Sequence, residues 1–415
     1  PVQHLTPPVA HPLKAVAIYS EGQNVAKIRL PAISRQQVKR WSTTHFTGAF
    51  MYALAILLSG ALMISPKRLY YSVLLGLLSF PIWVWAQLAV GDYEFAVTIN
   101  GDKRPYLVHV PMQSKAGQAL PMVLVLHGGL GNMQVQANER FYHQVSAAEK
   151  YGYIVVFPNG YSRFPGGKFA TWNAGNCCGP AVKKQSDDVA VIRAIIQEMQ
   201  QRANVDAKRI FVDGMSNGGM MSYRLACELS ETVSAIASVA GTDNTQDCQP
   251  ARPVAVLHIH AKDDDHVPFN GGKGQQSMAD VSFNSVAATV QKWVQLNQAN
   301  AQAERIVEVA GAYCEIHRGG LAPVQFCVTE TGGHSWPGGS KPRGGTAGST
   351  AISANDVIWQ PVRCDFVAMH TKVIIIEFLA VPGRPDQPIQ ACHSQFANAA
   401  VGPTKIEKVP VVHAA

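Results

Sequence analysis

The chain has 415 residues, 47% of them hydrophobic and 15% charged, so it can bury a sizeable core and global disorder is excluded. Its formal charge is +7, yet residues 1–86 hold eight Lys or Arg against one acid, while residues 87–360 hold 22 basic and 23 acidic residues. The basic excess sits in the leader, and the body has no basic stripe on which a nucleic acid could lie.

In chain order, two apolar stretches come first. Residues 46–64 (FTGAFMYALAILLSGALMI) are 19 residues without a charge, long enough to span a bilayer. Residues 69–86 follow Lys67-Arg68 and, read from Met63, show a basic start, an apolar centre and a small-residue site at Val84-Trp85-Ala86. Those are the parts of a secretory signal, and export with cleavage between Ala86 and Gln87 is expected. A membrane anchor is the competing expectation. Because Pro1 rather than Met stands first, residues 1–62 read either as a membrane segment or as sequence upstream of the true start.

From residue 93 onward, strand and helix signals alternate. Residues 93–99 and 106–111 flank Asn100-Gly101-Asp102, a strong hairpin signal. Continuous apolar runs at 122–126, 153–157, 210–212, 235–239 and 254–259 predict strands buried on both faces. Between them, Val189, Ile192, Ile195, Ile196 and Met199 recur at helical spacing behind Ser186-Asp187-Asp188, and a second such pattern covers 281–298, with Trp293 as a core residue. The expected class is α/β, a mainly parallel central sheet with helices on both faces, over residues 87–360. Residues 361–415, with an apolar run at 373–381 and then several prolines, read as a tail of uncertain structure.

Eight cysteines are present, six of them between 177 and 327, and six thiols allow fifteen pairings. None has zinc-type spacing. Cys227 with Cys248 and Cys314 with Cys327 are expected as disulfides, each pair being close in sequence and flanking one local unit.

The strongest local motif is Gly214-Met215-Ser216-Asn217-Gly218, between the strand ending at Asp213 and a helix at 220–229. Strand, sharp turn and helix expose a serine hydroxyl, and the glycines leave room for the close approach. A serine needs a base and an orienting acid, expected in the order Ser, Asp, His. After the strand at 254–259 comes Lys262-Asp263-Asp264-Asp265-His266-Val267-Pro268, with three candidate acids. After the run at 324–329 comes Gly332-Gly333-His334-Ser335-Trp336-Pro337-Gly338-Gly339, which makes His334 the candidate base. Leu126-His127-Gly128-Gly129-Leu130 stands where the first oxyanion donor belongs, taken as Gly129, and the N–H of Asn217 is the second. His127 lies upstream of the nucleophile, against the expected order, and is read as structural. Residues 338–350 are expected to form a mobile loop.

The segments LHGG, TWNAGNCCGPAVKKQSDDV, GMSNGG, LHIHAKDDDHVPFNGG and GGHSWPGG, in this order, resemble the extracellular polyhydroxybutyrate depolymerase-like esterases, themselves similar to feruloyl and acetylxylan esterases of the α/β-hydrolase type. The resemblance covers residues 90–360. It implies Asp264, ahead of Val267-Pro268, as the acid, although Lys262 and Asp263 stand where the family carries small uncharged residues. It also implies that Trp172 and Trp336 lie in loops lining the active-site face, as substrate platforms or as packing.

The expected function is therefore a secreted serine carboxylic-ester hydrolase without a cofactor, acting on feruloyl or acetyl esters of plant polysaccharide or on a polyhydroxyalkanoate polyester. A peptidase or lipase would share the triad, and a surface-binding protein on an inactive hydrolase fold is the non-enzymatic alternative. A metallohydrolase is suggested by His258-x-His260 and the acids after it, but the spacing of an HxHxDH site is missed, Lys262 and Asp263 standing where its acid and histidine belong. One of the two histidines is expected to face the core layer.

Overall fold

A computed structural model describes residues 87–115, 117–342 and 347–359. The apolar segment at 46–64, the export signal at 63–86 and the tail at 361–415 lie outside the described residues. Strands β1 (Gly91–Ile99) and β2 (Asp102–Val110) form the expected hairpin. They turn through Asn100 and Gly101 at φ of 50° and 83°, the double left-handed turn that matches right-twisted strands. Strands β3 (Leu120–Leu126), β4 (Ile154–Pro158), β5 (Val205–Met215), β6 (Ala235–Val239), β7 (Ala255–Ala261) and β10 (Val324–Thr329) run parallel at the centre. β8 (Glu304–Val309) and β9 (Ala312–His317) close the far edge antiparallel. The sheet order is β1-β2-β4-β3-β5-β6-β7-β10-β9-β8.

Strand β5 starts at Val205, well before the apolar run at 210–212, because its first five residues are partly exposed and carry no continuous apolar signal. Among the described residues the helices bounded on both sides are α1 (Met133–Gln136), α2 (Glu139–Tyr142), α3 (Gln144–Tyr151), α4 (Gly179–Lys184), α5 (Asp188–Arg202), α6 (Asn217–Glu228) and α7 (Val286–Leu296), and residues 354–359 are also helical. Asp187 caps α5 through its side chain, which accepts from Ala190 N–H, and Val189, Ile192, Ile195, Ile196 and Met199 are all buried. Helix α7 begins later than the pattern from 281 suggested. Ser285 caps it, and the preceding stretch is held by a bridge between Gly272 and Phe283.

Successive side chains of β3 point to opposite faces, so the two core layers share one strand. Leu124 and Leu126 pack in one layer with residues of α5, α6 and α7, whereas Val123 and Val125 pack in the other with Ala147 and Ala148 of α3. A mainly parallel sheet with helices on both faces and a sharp Gly-x-Ser-x-Gly turn between its central β5 and the next helix is the α/β-hydrolase fold. Cys227 pairs with Cys248 and Cys314 with Cys327, the latter two facing each other across β9 and β10. Cys177 pairs with its neighbour Cys178. No candidate membrane-spanning helix occurs among the described residues.

Candidate active site

Three parallel strands deliver the site from their C-terminal ends. Ser216 follows β5, Asp264 lies three residues beyond β7, and His334 five residues beyond β10. In the sheet β5, β6, β7 and β10 are successive neighbours, so residues spread over more than a hundred positions converge on one edge.

Ser216 sits at φ 56° and ψ −120°, a backbone region that side-chain-bearing residues seldom adopt. Its N–H donates to the carbonyl of Val239 at 2.8 Å. It occupies the N-cap position of α6, yet its hydroxyl makes no capping hydrogen bond and is not spent on the helix. Gly214 and Gly218 are required here. A Cβ on Gly214 would stand 2.5 Å from the carbonyl carbon of Gly218, and one on Gly218 would stand 2.3 Å from the carbonyl oxygen of Leu126. The turn also lies against the oxyanion segment: a Cβ on Gly128 would be 3.6 Å from Ser216 Cβ, and one on Gly129 would be 3.6 Å from Asn217 Cβ.

Of the three candidate acids, Asp264 meets the base. His334 Nδ1 is 2.8 Å from Asp264 Oδ2, and Asp264 Oδ1 accepts the backbone N–H groups of His266 and Val267, each at 2.9 Å. Burial alone would raise the pKa of this carboxyl. The neighbouring charge of His334 and hydrogen bonds from His260 and His334 outweigh that and hold it well below the usual carboxylate range. Asp263 has another task, accepting the N–H groups of Gly333 at 2.7 Å and Gly332 at 3.3 Å, so it pins the histidine loop. Asp265 pairs with His266 at 2.6 Å on the surface, and the His266 ring stacks on His334 with centroids 4.7 Å apart.

His127 is buried beneath this site, and burial lowers its pKa to about 4. The ring is therefore neutral: Nδ1–H donates to the carbonyl of Gly128 at 2.8 Å, and Nε2 accepts from Gly160 N–H at 2.9 Å. It shapes the oxyanion segment from below. The Asn217 side chain joins the nucleophile turn to the segment around residue 172, accepting from Trp172 N–H and donating to the carbonyl of Trp172.

The expectation for the two tryptophans as substrate platforms needs correction. Trp172 is fully buried, its indole N–H donating to the carbonyl of His127 at 2.9 Å and its ring packed on the His127 ring. Trp336 is 3% exposed, packs edge-on against Tyr142, and donates to Asn355 Oδ1 at 3.1 Å. Each indole N–H is satisfied from within, which turns the ring inward and leaves no free face for a substrate. Both shape loops. Of the loop at 338–350, residues 343–346 lie outside the described residues, and its ends are tied together by Gly338 N–H donating to the carbonyl of Ser349 at 2.8 Å.

His258 and His260 differ from expectation in another way. Residues two apart on a strand share a face, so both rings are buried and stack on each other at 5.1 Å rather than dividing between two layers. Their four ring nitrogens all have partners within the protein. Asp264, Asp265 and His266 bring ligand atoms within 4.8 Å of one another, but Asp264 is already committed to His334. A cavity of about 350 Å³ lies elsewhere, lined by Val123, Phe211, Asp213, Leu257 and Trp359 among others, and contains none of the triad.

Residues 108–307 match the model of the dienelactone hydrolase family. Feruloyl esterase B of Piromyces equi is 30% identical over 56% of this chain and 42% of its own length. A probable feruloyl esterase C of Aspergillus clavatus is 33% identical over 43% of this chain and 60% of its own length. The bifunctional acetylxylan esterase/xylanase of Neocallimastix patriciarum is 26% identical over 46% of this chain and 27% of its own length. The chain spans less than two thirds of the length of these three curated relatives. Among solved structures, an acetyl xylan esterase from Aspergillus awamori aligns with 65% of this chain and 99% of its own, at 15% identity and a TM-score of 0.45. The chain is a homologue of carboxylic ester hydrolases.

Proposed function

We propose that this homologue of feruloyl and acetylxylan esterases is itself a carboxylic-ester hydrolase that works through an acyl-enzyme on Ser216. The observation that carries this reading is the Asp264–His334 pair, 2.8 Å apart, on the sheet edge that also presents a strained serine with an uncommitted hydroxyl. His334 takes the proton from the Ser216 hydroxyl as its oxygen attacks the ester carbonyl. The backbone N–H groups of Gly129 and Asn217 receive the negative charge that develops on the carbonyl oxygen, and Asn217 opens α6, where the helix dipole adds favourable potential. Collapse of the tetrahedral intermediate breaks the bond to the alcohol, which leaves with the proton held on His334. A water then attacks the acyl-serine, gives its proton to His334, and releases the acid as Ser216 regains its hydrogen. Asp264, ionised throughout, orients the imidazole and stabilises its protonated form.

The relatives support a feruloyl or acetyl ester on plant polysaccharide as the substrate class, with a hydroxyalkanoate polyester as the other polymer-linked ester the motifs resemble. Action outside the cell is supported by three disulfides, which an oxidising compartment allows. The test offers p-nitrophenyl acetate, methyl ferulate, acetylated xylan and polyhydroxybutyrate particles to the protein and to Ser216→Ala. Hydrolysis that depends on Ser216, with a ferulate or acetyl ester preferred, is the expected result. An equal rate from Ser216→Ala would overturn the mechanism, and a polyester preference would overturn the plant-polysaccharide reading in favour of the polyester one.

A further inference from the structure

Behind the triad, a buried line of hydrogen bonds runs from α6 to the catalytic acid. The hydroxyl of Tyr223 on α6 is 2.8 Å from His258 Nδ1, and His258 Nε2 is 3.0 Å from His260 Nδ1. His260 Nε2 is 2.8 Å from the carbonyl of Val267 and 3.3 Å from Asp264 Oδ2. All three side chains are at most 1% exposed.

The end of the line fixes every proton in it. A carbonyl oxygen and a carboxylate can only accept, so His260 Nε2 carries a hydrogen, donates it to the Val267 carbonyl at 2.8 Å and brings the same N–H to 3.3 Å from Asp264 Oδ2. In neutral His260, Nδ1 is then bare and accepts from His258 Nε2–H, which leaves His258 Nδ1 bare to accept the Tyr223 O–H. Burial keeps His258 and Tyr223 in these forms: it pushes His258 well below its ordinary value and Tyr223 well above. No ring needs a second proton, and no donor in the line is left over.

We propose that His260 is a positioning residue for the catalytic acid: its Nε2–H approaches the same Asp264 oxygen that receives His334 Nδ1–H, the Val267 carbonyl fixes the tautomer that allows this, and His258 and Tyr223 complete the hydrogen bonds of that tautomer. The inference rests on the assignment of Ser216, His334 and Asp264 given above. Asp264 Oδ1 is already fixed by two backbone N–H groups, so His260 is what holds Oδ2 besides the catalytic base. A second donor on that oxygen withdraws charge from it, grips the protonated His334 less tightly, and lets the base be free of its proton at lower pH. His334 faces Asp264 and the stacked ring of His266, itself paired to Asp265, while Asp263 takes the backbone N–H groups of the same loop. His260 faces His258, Asp264 and the edge of Phe269.

The experiment compares the full chain with His260→Leu, His260→Gln and Tyr223→Phe. It records kcat/KM for p-nitrophenyl acetate against pH and follows the His334 imidazole titration by NMR, which needs no substrate. His260→Leu is expected to lower maximal kcat/KM about tenfold and to move the acid limb upward by about half to one pH unit. His260→Gln, whose amide N–H can replace Nε2–H, keeps the limb in place, and Tyr223→Phe moves it the same way by less. Should the leucine variant not fold, His260→Asn, whose amide stops short of Asp264, is read in its stead. An acid limb and a His334 titration unmoved by any folded variant, or moved equally by the leucine (or asparagine) and glutamine variants, would overturn the proposal. A wild-type chain inactive on every ester would instead overturn the assignment of Ser216, and the NMR titration would still decide the role of His260.

Discussion

Gly218→Ala sets two physical effects of opposite sign against each other. Gly218 lies in the first turn of α6, and replacing a helical glycine with alanine normally stabilises by about 1 kcal/mol. Here the new Cβ would meet the carbonyl oxygens of Leu126 and His127 at 2.3 and 2.6 Å. A carbon and a carbonyl oxygen rest no closer than about 3.3 Å, so β3 and α6 must part by roughly 1 Å. Both atoms belong to a buried strand end and cannot swing aside, and overpacking of this kind costs about 1–3 kcal/mol. Two backbone oxygens under 3 Å put the clash toward the upper end of that range, so it wins, with net destabilisation of up to about 2 kcal/mol and a Tm lower by a few degrees. Activity should suffer more than stability, because the displaced segment carries Gly128 and Gly129, and about 1 Å of misplacement can lower kcat/KM roughly a hundredfold. Thermal unfolding and p-nitrophenyl acetate hydrolysis are read on the same sample. A variant with raised Tm and kcat/KM within about twofold of wild type would show that helix propensity prevails and that the turn does not lean on β3 as described.

Other expectations are more local. His127 has a folded pKa of about 4 against about 6.5 when unfolded, so its contribution is complete above pH 6.5 and is lost as pH falls toward 4, by roughly 3 kcal/mol. The depressed Asp264 carboxyl adds a further loss below the ordinary carboxylate range. Tm should hold from pH 8 to about 6.5 and fall from there toward pH 4, and a flat profile between 6.5 and 4.5 would contradict the buried neutral imidazole. Replacing both Cys227 and Cys248 by alanine releases a disulfide spanning 21 residues and should reduce stability by about 3 kcal/mol, read by denaturant titration. Arg104 and Asp188 form a buried pair at 2.8 Å, and Asp188 also accepts from Asn173 N–H beside Trp172. Asp188→Ala strands the arginine and should destabilise by about 3–5 kcal/mol, whereas a loss below about 1 kcal/mol would mean that the guanidinium finds water.

The parts of this site legible in the sequence are those written in short local patterns at strand ends. Gly214 and Gly218 announce the turn around Ser216 because a Cβ at either would collide with backbone, and Asp264 and His334 follow largely buried strands, each with a recognisable β-prone run. Helices α1 to α4 span four to eight residues, too few for helical periodicity to register. Strand β8 escaped notice because it is an edge with charged, half-exposed residues. The line from Tyr223 to Asp264 depends on contacts 35 residues apart, and a histidine pair on a strand reads the same with or without such partners. The tryptophans mislead for a related reason: which way an indole turns is decided by the carbonyl its N–H finds, here the one on His127 for Trp172.

The most direct test of the Ser216 mechanism is covalent trapping. After brief reaction with a fluorophosphonate or with p-nitrophenyl acetate at low pH, intact mass and peptide mapping should place a single adduct on Ser216. The adduct should be absent in Ser216→Ala and form far more slowly in His334→Ala. Labelling at another residue, or labelling of Ser216 unaffected by the loss of His334, would contradict the triad.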